Sequence, residues 1–543
     1  MNRLFLNSKN RSRTYLLLLL FIGCWTSLLG KEKQKPNILF FLAEDINPYL
    51  GCYGDSVAMS PTIDALAAKG IRFTEMYAPV GVCAPCRSSL MTGMFPTSIG
   101  ANHMRTGGGP KARPYQLPSY QVILPEEIKA YTEYLRAEGY FCTNNRKTDY
   151  QFKNQLTFWD ECHGEATWEH APEDQPFFSI FTYLESHEQK IWESKNDTLW
   201  VKPSEVTPPP YLLADSVGRR DWAIMYSNIY RMDQRVAQEL HRLEKAKKLD
   251  NTIIIFASDN GGPGPRQKRS IYERGTHIPF IVVFPDGTQA GSVDNRMLNM
   301  ADIPATILSL AGITPPFYMD GKAFLGEFEE NQGRDYVFSI RERMDDQYGK
   351  QLSVRDSNFR YVRNYYPHQP EYLDVKFRYN IPSMLEMLRK KEELTPEQAS
   401  WFTYPRPKEE LYFTQKDIHE LNNLADLPEY QQTLERLRAL ADKVEAQYWP
   451  YRNFTEKELI KEIGNTGNVQ VSRPSISQHR NLITLNASTP AASIVYQING
   501  DGSKRSHWKY YTGPFKIRKG DRLNVIAARA GFEQSEMVNY TAP

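Results

Sequence analysis

The sequence predicts an α/β fold with a large buried sheet, and three observations carry that reading. Short, wholly apolar runs recur and each ends in polar residues: 37–42 before Glu44-Asp45, 177–183 before Glu185 and His187, and 252–257 before Asp259-Asn260-Gly261-Gly262. Runs of that length without polar alternation are strands covered on both faces. Ahead of the third run, Met225, Ile229, Met232, Val236, Leu240 and Leu243 recur at helical spacing. Helix followed by buried strand is the α/β pattern. Polar residues just past the carboxyl ends of such strands sit where open sheets bind ligands.

The amino terminus reads as an export signal over residues 1–30. Lys9, Arg11 and Arg13 precede the apolar stretch 15–22, which is short for a membrane span, and cleavage near Gly30 fits. Phe21-Ile22-Gly23-Cys24 resembles an imperfect lipobox, so lipid anchoring at Cys24 stands beside simple export. A periplasmic or secreted protein with no transmembrane helix in its mature chain is expected. Lys+Arg total 66 against 64 Asp+Glu, a net charge of +2, which gives no ground for nucleic-acid binding. Six cysteines are too few for a disulfide scaffold, and the pairing of Cys52, Cys86, Cys142 and Cys162 stays open.

A main body over 31–464 is expected, with a smaller α+β subdomain from about 335. Residues 337–365 look strand-rich, with 359–362 as one strand. Leu434, Leu437, Ala441, Val444 and Tyr448 mark one face of a late helix. Residues 464–468 (Gly-Asn-Thr-Gly-Asn) read as a linker. From 471 to 543 short alternating strands with Asn-Gly and Asp-Gly turns at 499–502 predict a small Ig-like β-sandwich. It resembles modules appended to secreted glycan-processing enzymes. Trp508, Tyr510 and Tyr511 there fit either a core or a sugar-contacting face.

The run Cys83-Ala84-Pro85-Cys86-Arg87-Ser88-Ser89-Leu90-Met91-Thr92-Gly93 carries the chemistry. Read alone, Cys83 and Cys86 fit a disulfide or a redox C-x-x-C, but neither accounts for Arg87 or for Thr92-Gly93. Pro85 suits the first turn of a helix, which puts Cys83 at a helix amino terminus, where free N–H groups favour an anion. The whole run resembles the type I sulfatase signature, C-x-P-x-R followed by T-G. That resemblance implies an alkaline-phosphatase-like sandwich: a large central mixed sheet, a smaller carboxy-terminal α+β subdomain and, here, an appended β-sandwich. It also implies that a sulfatase-maturating enzyme oxidises Cys83 to formylglycine (3-oxoalanine). In the family, one hydroxyl of the hydrated aldehyde attacks sulfur and the second lets sulfate leave, which a plain serine cannot do.

Further positions match the same family. Glu44, Asp45, Asp259 and Asn260, together with the matured Cys83, fall where it holds a divalent cation. Hard oxygen ligands favour Ca2+ over Mg2+, and no His/Cys set has zinc spacing. Glu44 stands where an aspartate is more usual. The resemblance gives Arg87 the neutralising role beside the nucleophile. His187 matches the histidine after the central strand, and Lys268 in Lys268-Arg269-Ser270-Ile271-Tyr272-Glu273-Arg274-Gly275 matches K-x-x-x-x-E-x-G, whose lysine touches sulfate. Lys147 falls on a G-K-x-H element in which Asp149 replaces the histidine, which leaves the proton acceptor open between Asp149 and another group. His103, Arg341 and Arg343 are candidates for reading the sugar.

The expected activity is calcium-dependent hydrolysis of sulfate esters on a sulfated carbohydrate, an algal polysaccharide such as ulvan first. A heparan-type glycosaminoglycan sulfatase, a phosphodiester or phosphonate hydrolase of the same superfamily, and a non-catalytic glycan-binding protein are the alternatives.

Overall fold

Strand Asn37–Ala43 is buried at every position, and its side chains divide by parity. Ile38, Phe40 and Leu42 join one core, while Leu39, Phe41 and Ala43 join another on the opposite face of the sheet. This is the two-sided burial that an unalternating apolar run demands. The computed structural model describes residues 34–108, 114, 116–330, 333–503 and 507–543. The stretch 1–30 read as an export signal, with Cys24, lies outside the described residues.

The central sheet has eight strands: Asn37–Ala43 (β1), Ile71–Tyr77 (β2), Phe141–Asn145 (β3), Glu161–His163 (β4), Phe177–Tyr183 (β5), Thr252–Ser258 (β6), His277–Val283 (β7) and Ser292–Asn299 (β8). Their spatial order is β4-β3-β5-β1-β6-β7-β2-β8. Only β7 runs against its neighbours, so the sheet is mixed. β1 lies between β5 and β6, with Ala43 level with both Tyr183 and Ser258. The chain therefore leaves three adjacent parallel strands at one height, which brings three distant sequence segments to one sheet edge.

Helix Cys83–Thr92 (α1) is buried along its whole length. The distal T-G of the signature ends it. Thr92 Oγ1 donates to the Ser88 carbonyl at 2.8 Å, and Gly93 takes φ 71° while its N–H reaches the Ser89 carbonyl at 2.8 Å. A left-handed cap is glycine's role, and a Cβ there would also stand 2.8 Å from Met319 Sδ. Helix Ser216–Lys245 (α2) is capped by Asp215, which accepts from the Val217 and Gly218 N–H groups at 3.0 Å each. Its stripe of Met225, Ile229, Met232, Val236 and Leu243 is buried in the second core.

A four-stranded antiparallel sheet follows: Val337–Arg341 (β9), Gln351–Arg355 (β10), Phe359–Asn364 (β11) and Glu409–Phe413 (β12). Helix Gln431–Tyr448 (α3) packs on it through Tyr448, stacked on Phe338 at 5.4 Å. The fold is α/β with a large mixed central sheet and a sheet-rich carboxy-terminal region.

Residues 475–541 form two further antiparallel sheets around Ile483, Leu485, Ile494, Leu523 and Val525. Trp508 is core here and no sugar platform: it is 1% exposed, its indole N–H donates to the Ser503 carbonyl at 2.9 Å, and its own carbonyl accepts from Arg136 at 2.5 Å. Gly464-Asn465, read as linker from its composition, instead pairs as a short strand with Gln121-Val122. The described cysteines carry no disulfide; Cys86 donates its thiol to the Val80 carbonyl at 2.7 Å. Among the described residues no helix is long and apolar enough to cross a membrane.

Candidate active site

The site residues enter from three strand ends and one helix start. β1 delivers Glu44 and Asp45, β6 delivers Asp259 and Asn260, β5 delivers His187 through a short turn, and α1 begins with Cys83. Asp45 adopts φ 51°, a costly value for a non-glycine residue, and the Asp45 N–H reaches Asp259 Oδ1 at 3.3 Å. Donor atoms of Glu44, Asp45 and Asp259 lie within 4.8 Å of one another, and so do those of Glu44, Cys83 and His187. Glu44 belongs to both groups and ties the carboxylate cluster to the cysteine.

Cations surround this cluster. Arg87, one turn along α1, donates to Glu44 and, through Nε, to Asp259 Oδ2 at 3.0 Å. Lys147 pairs with Glu44. Lys268 donates to Asp45 Oδ2 at 2.6 Å and lies 3.0 Å from His187 Nε2. Asn260 Nδ2 donates to Asp45 Oδ1 at 2.9 Å. Burial alone would raise the Glu44 carboxyl, but Arg87 and Lys147 hold it well below the usual range. Asp259 goes the other way, because burial and the Glu44 charge push it well above. Crowded acids that titrate in opposite directions are what a divalent cation relieves. The Asn260 amide oxygen is buried and meets no donor among the described residues. The donor set, all oxygen, fits a hard cation.

His187 lies between the metal-type cluster and the lysine. Burial and the Lys268 ammonium pull its imidazole down to about 4, so it is neutral at neutral pH. The Gln189 N–H donates to Nδ1 at 3.2 Å and the Lys268 ammonium lies 3.0 Å from Nε2, so both ring nitrogens face donors. Lys268 thus bridges Asp45 and the imidazole, which sets the ammonium and the ring side by side at the cluster. The lysine owes its place to a tight backbone crossing. At Gly275 a Cβ would stand 2.1 Å from the Ser270 carbonyl oxygen and 2.6 Å from that of Gln267. Gly275→Ala is expected to cost about 1–3 kcal/mol of stability, read as a lower denaturation midpoint.

The three candidate sugar readers lie elsewhere. Arg341 is 1% exposed, with Nη1 on Glu371 at 2.5 Å and Nη2 on the Glu371 carbonyl at 3.0 Å. Arg343 is fully buried, with Nε and Nη2 on Glu456 at 2.6 and 2.8 Å. His103 is buried with Nε2 at 3.6 Å from Glu342. Their charges are spent inside the protein, so none presents a donor to solvent. Asp149 sits at the rim, 24% exposed and 4.0 Å from Lys147.

Two buried charged residues beside the cluster were not singled out by the sequence. Glu188 and Arg269 pair at 2.8 Å beneath Lys268, and Arg269 Nε also donates to Asp345 at 2.7 Å. Both are immediate neighbours of residues the sequence singled out, His187 and Lys268, which was the available signal. Burial alone would raise Glu456, but His103 and Arg343 hold it down to about 2, against an ordinary 4.5. Its folded value is the lower one, so its stabilisation is complete above the ordinary value and is lost as pH falls through the folded one. Glu456→Gln should cost about 2–3 kcal/mol at neutral pH. Urea melts should show that difference shrinking as pH falls from about 5 to about 3.

Comparison with known proteins follows this geometry. The family model described as "Sulfatase" matches residues 36–313, and that described as "N-sulphoglucosamine sulphohydrolase, C-terminal" matches 263–395. An ulvan-active sulfatase of Formosa agariphila is 38% identical over 551 residues, covering 94% of this chain and 92% of the relative. Human N-sulphoglucosamine sulphohydrolase is 26% identical over 468 residues, covering 76% and 90%. Among solved structures, one in complex with its substrate D-glucosamine-2-N,6-O-disulfate aligns with a TM-score of 0.55 at 16% identity, covering 76% of this chain and 98% of its own. The phosphonate monoester hydrolase of Agrobacterium radiobacter aligns with a TM-score of 0.54 at 18% identity, covering 78% and 98%.

Proposed function

This chain belongs to the sulfatase family and is a sulfuric ester hydrolase, and from that premise we propose that it desulfates a sulfated polysaccharide, ulvan first, using Cys83 matured to formylglycine and Ca2+. The observation that carries the reading is the convergence of Cys83, Glu44 and His187, sharing Glu44 with the Asp45–Asp259 cluster. The relative that matches nearly the whole chain is ulvan-active, which supports the substrate.

Glu44, Asp45, Asp259 and Asn260 would hold the cation, which when bound would supply Lewis-acid stabilisation of negative charge beside residue 83. The Cys83 sulfur marks the place of the matured aldehyde, whose hydrate is the nucleophile. Arg87 donates to both Glu44 and Asp259 and so fixes the two carboxyl groups beside that place. Lys147 and Lys268 lie against Glu44 and Asp45, and a cation on those carboxylates would leave both ammonium groups to the sulfate oxygens. His187 and the Lys268 ammonium, 3.0 Å apart, are together placed to deliver a proton to the departing alcohol. Asp149, at the rim beside Lys147, is the group placed to accept the proton that must leave before sulfate is released. A maturating enzyme acts on Cys83, and the amino-terminal signal exports the chain to its substrate.

Turnover of an aryl sulfate and an aryl phosphate, and sulfate release from ulvan, carrageenan and heparan oligosaccharides, test this. Aryl sulfate should be preferred and ulvan fragments should release sulfate. Preference for the phosphate would favour the phosphonate-hydrolase class, and release from heparan fragments alone would move the substrate to glycosaminoglycans.

A further inference from the structure

A cavity of about 500 Å3 opens beside the catalytic centre, where the main body meets the carboxy-terminal β-module. Arg105 and Asp149 line its catalytic side, Phe152 and Lys153 line its flank, and Glu533 comes from the module. We propose that this cavity is the subsite for the sugar unit next to the sulfated one, and that Arg105 grips an anionic group on that unit. The inference rests on the sulfatase reading above and adds to it where the polymer lies.

Arg105 is held in an unusual way. Its backbone adopts φ 55°, in the left-handed region, although it is no glycine. Such strain persists only where surrounding structure imposes it. Here the Met104 N–H donates to the Arg343 carbonyl at 2.9 Å, and Arg343 Nη1 donates to the Met104 carbonyl at 2.7 Å. The buried Arg343–Glu456 pair thus serves as the clamp beneath Arg105. The next residue is pinned as well, with the Thr106 N–H on Gln151 Oε1 at 3.1 Å.

The guanidinium itself is left available. Its side chain is 36% exposed, and among the described residues its nearest carboxylate is Asp345, at 4.0 Å. Asp345 is already committed to Arg269 at 2.7 Å. Burial lowers the affinity of Arg105 for its proton, yet the groups around it, Cys83, Asp149 and Asp345, raise it overall, so the guanidinium stays charged. A rigidly presented cation with no close counter-ion, facing an open cavity next to a sulfate-handling centre, suits a second negative charge on the substrate.

The module forms a fixed wall rather than a loose appendage. Glu533 accepts from Gln121 at 2.8 Å and from Lys153 at 2.5 Å. Gln155 donates to the Phe532 carbonyl at 3.1 Å, and Arg529 donates to the Leu124 carbonyl at 3.0 Å.

The group gripped is a carboxylate or a second sulfate ester, and the substrate separates them. Wild type, Arg105→Ala and Arg105→Lys would be compared on 4-nitrophenyl sulfate, on an ulvan oligosaccharide, and on that oligosaccharide after carboxyl reduction. Arg105→Ala should lower kcat/KM on the oligosaccharide by about 10–100-fold, chiefly through KM, and by at least about tenfold more than on the aryl sulfate. Arg105→Lys should recover part of the loss. If a carboxylate is held, its reduction lowers wild-type kcat/KM and has little further effect on Arg105→Ala; if a sulfate is held, reduction changes neither. Calorimetric binding of the same oligosaccharide to Cys83→Ala, with and without Arg105→Ala, reads the contact without turnover, and Kd should rise by the same factor. Equal losses on both substrates, or an unchanged Kd, would overturn the proposal. Failure of the wild type to cleave any sulfate ester would instead sink the activity reading, while the binding arm would still decide the subsite.

Discussion

Cys83→Ala is expected to lower sulfate ester hydrolysis by about 10^4-fold or more while leaving the fold intact. The reason is chemical. Alanine can be neither oxidised to an aldehyde nor turned into a nucleophile, and nothing else in the cluster can attack sulfur. Glu44, Asp45 and Asp259 are tied to Arg87, Lys147 and Lys268, and His187 is held against Lys268. The structural cost is small. Cys83 is fully buried at the start of α1, and losing one sulfur from a packed site costs on the order of 1 kcal/mol. Turnover of an aryl sulfate, with a thermal midpoint measured on the same sample, separates lost chemistry from lost fold. Substantial remaining activity would place the nucleophile elsewhere.

The second large effect is expected at Asp259. Asp259→Asn keeps the side chain's shape but removes a carboxylate that meets Arg87 Nε at 3.0 Å and lies in the cluster with Glu44 and Asp45. Activity should fall by about 10^3-fold. Calorimetry should show Ca2+ affinity weakened by about 100-fold relative to wild type. Chelation of the wild type should abolish activity, and Ca2+ should restore it better than Mg2+. A variant that binds Ca2+ as tightly as wild type would remove Asp259 from the cation site.

The site's framework could be read from sequence because its residues follow strands whose burial is written in composition. An apolar run ending in two acids says where β1 stops, and Ala43 then lies level with Tyr183 and Ser258, so three such ends meet. Lys268 was found through the glycine seven positions on, and the structure supplies the reason: no Cβ fits at that crossing. Which arginines are buried in ion pairs and which stay exposed was not legible. Arg343 and Arg105 are both arginines in polar stretches, and what separates them is a partner, Glu456, lying 113 residues from Arg343. Charge is visible in a sequence, but its neutralisation by a distant carboxylate is not. Trp508 was ambiguous for a related reason, since an aromatic suits a core or a sugar face equally until its neighbours are known.

The most direct test of the account is the mass of the tryptic peptide that contains residue 83, measured on protein from a host that carries a maturating enzyme and shows sulfatase activity. The account predicts a cysteine that has lost its sulfur and two hydrogens and gained an oxygen, an aldehyde that carbonyl reagents capture. An intact Cys83 thiol in preparations that turn over sulfate esters at full rate would contradict it.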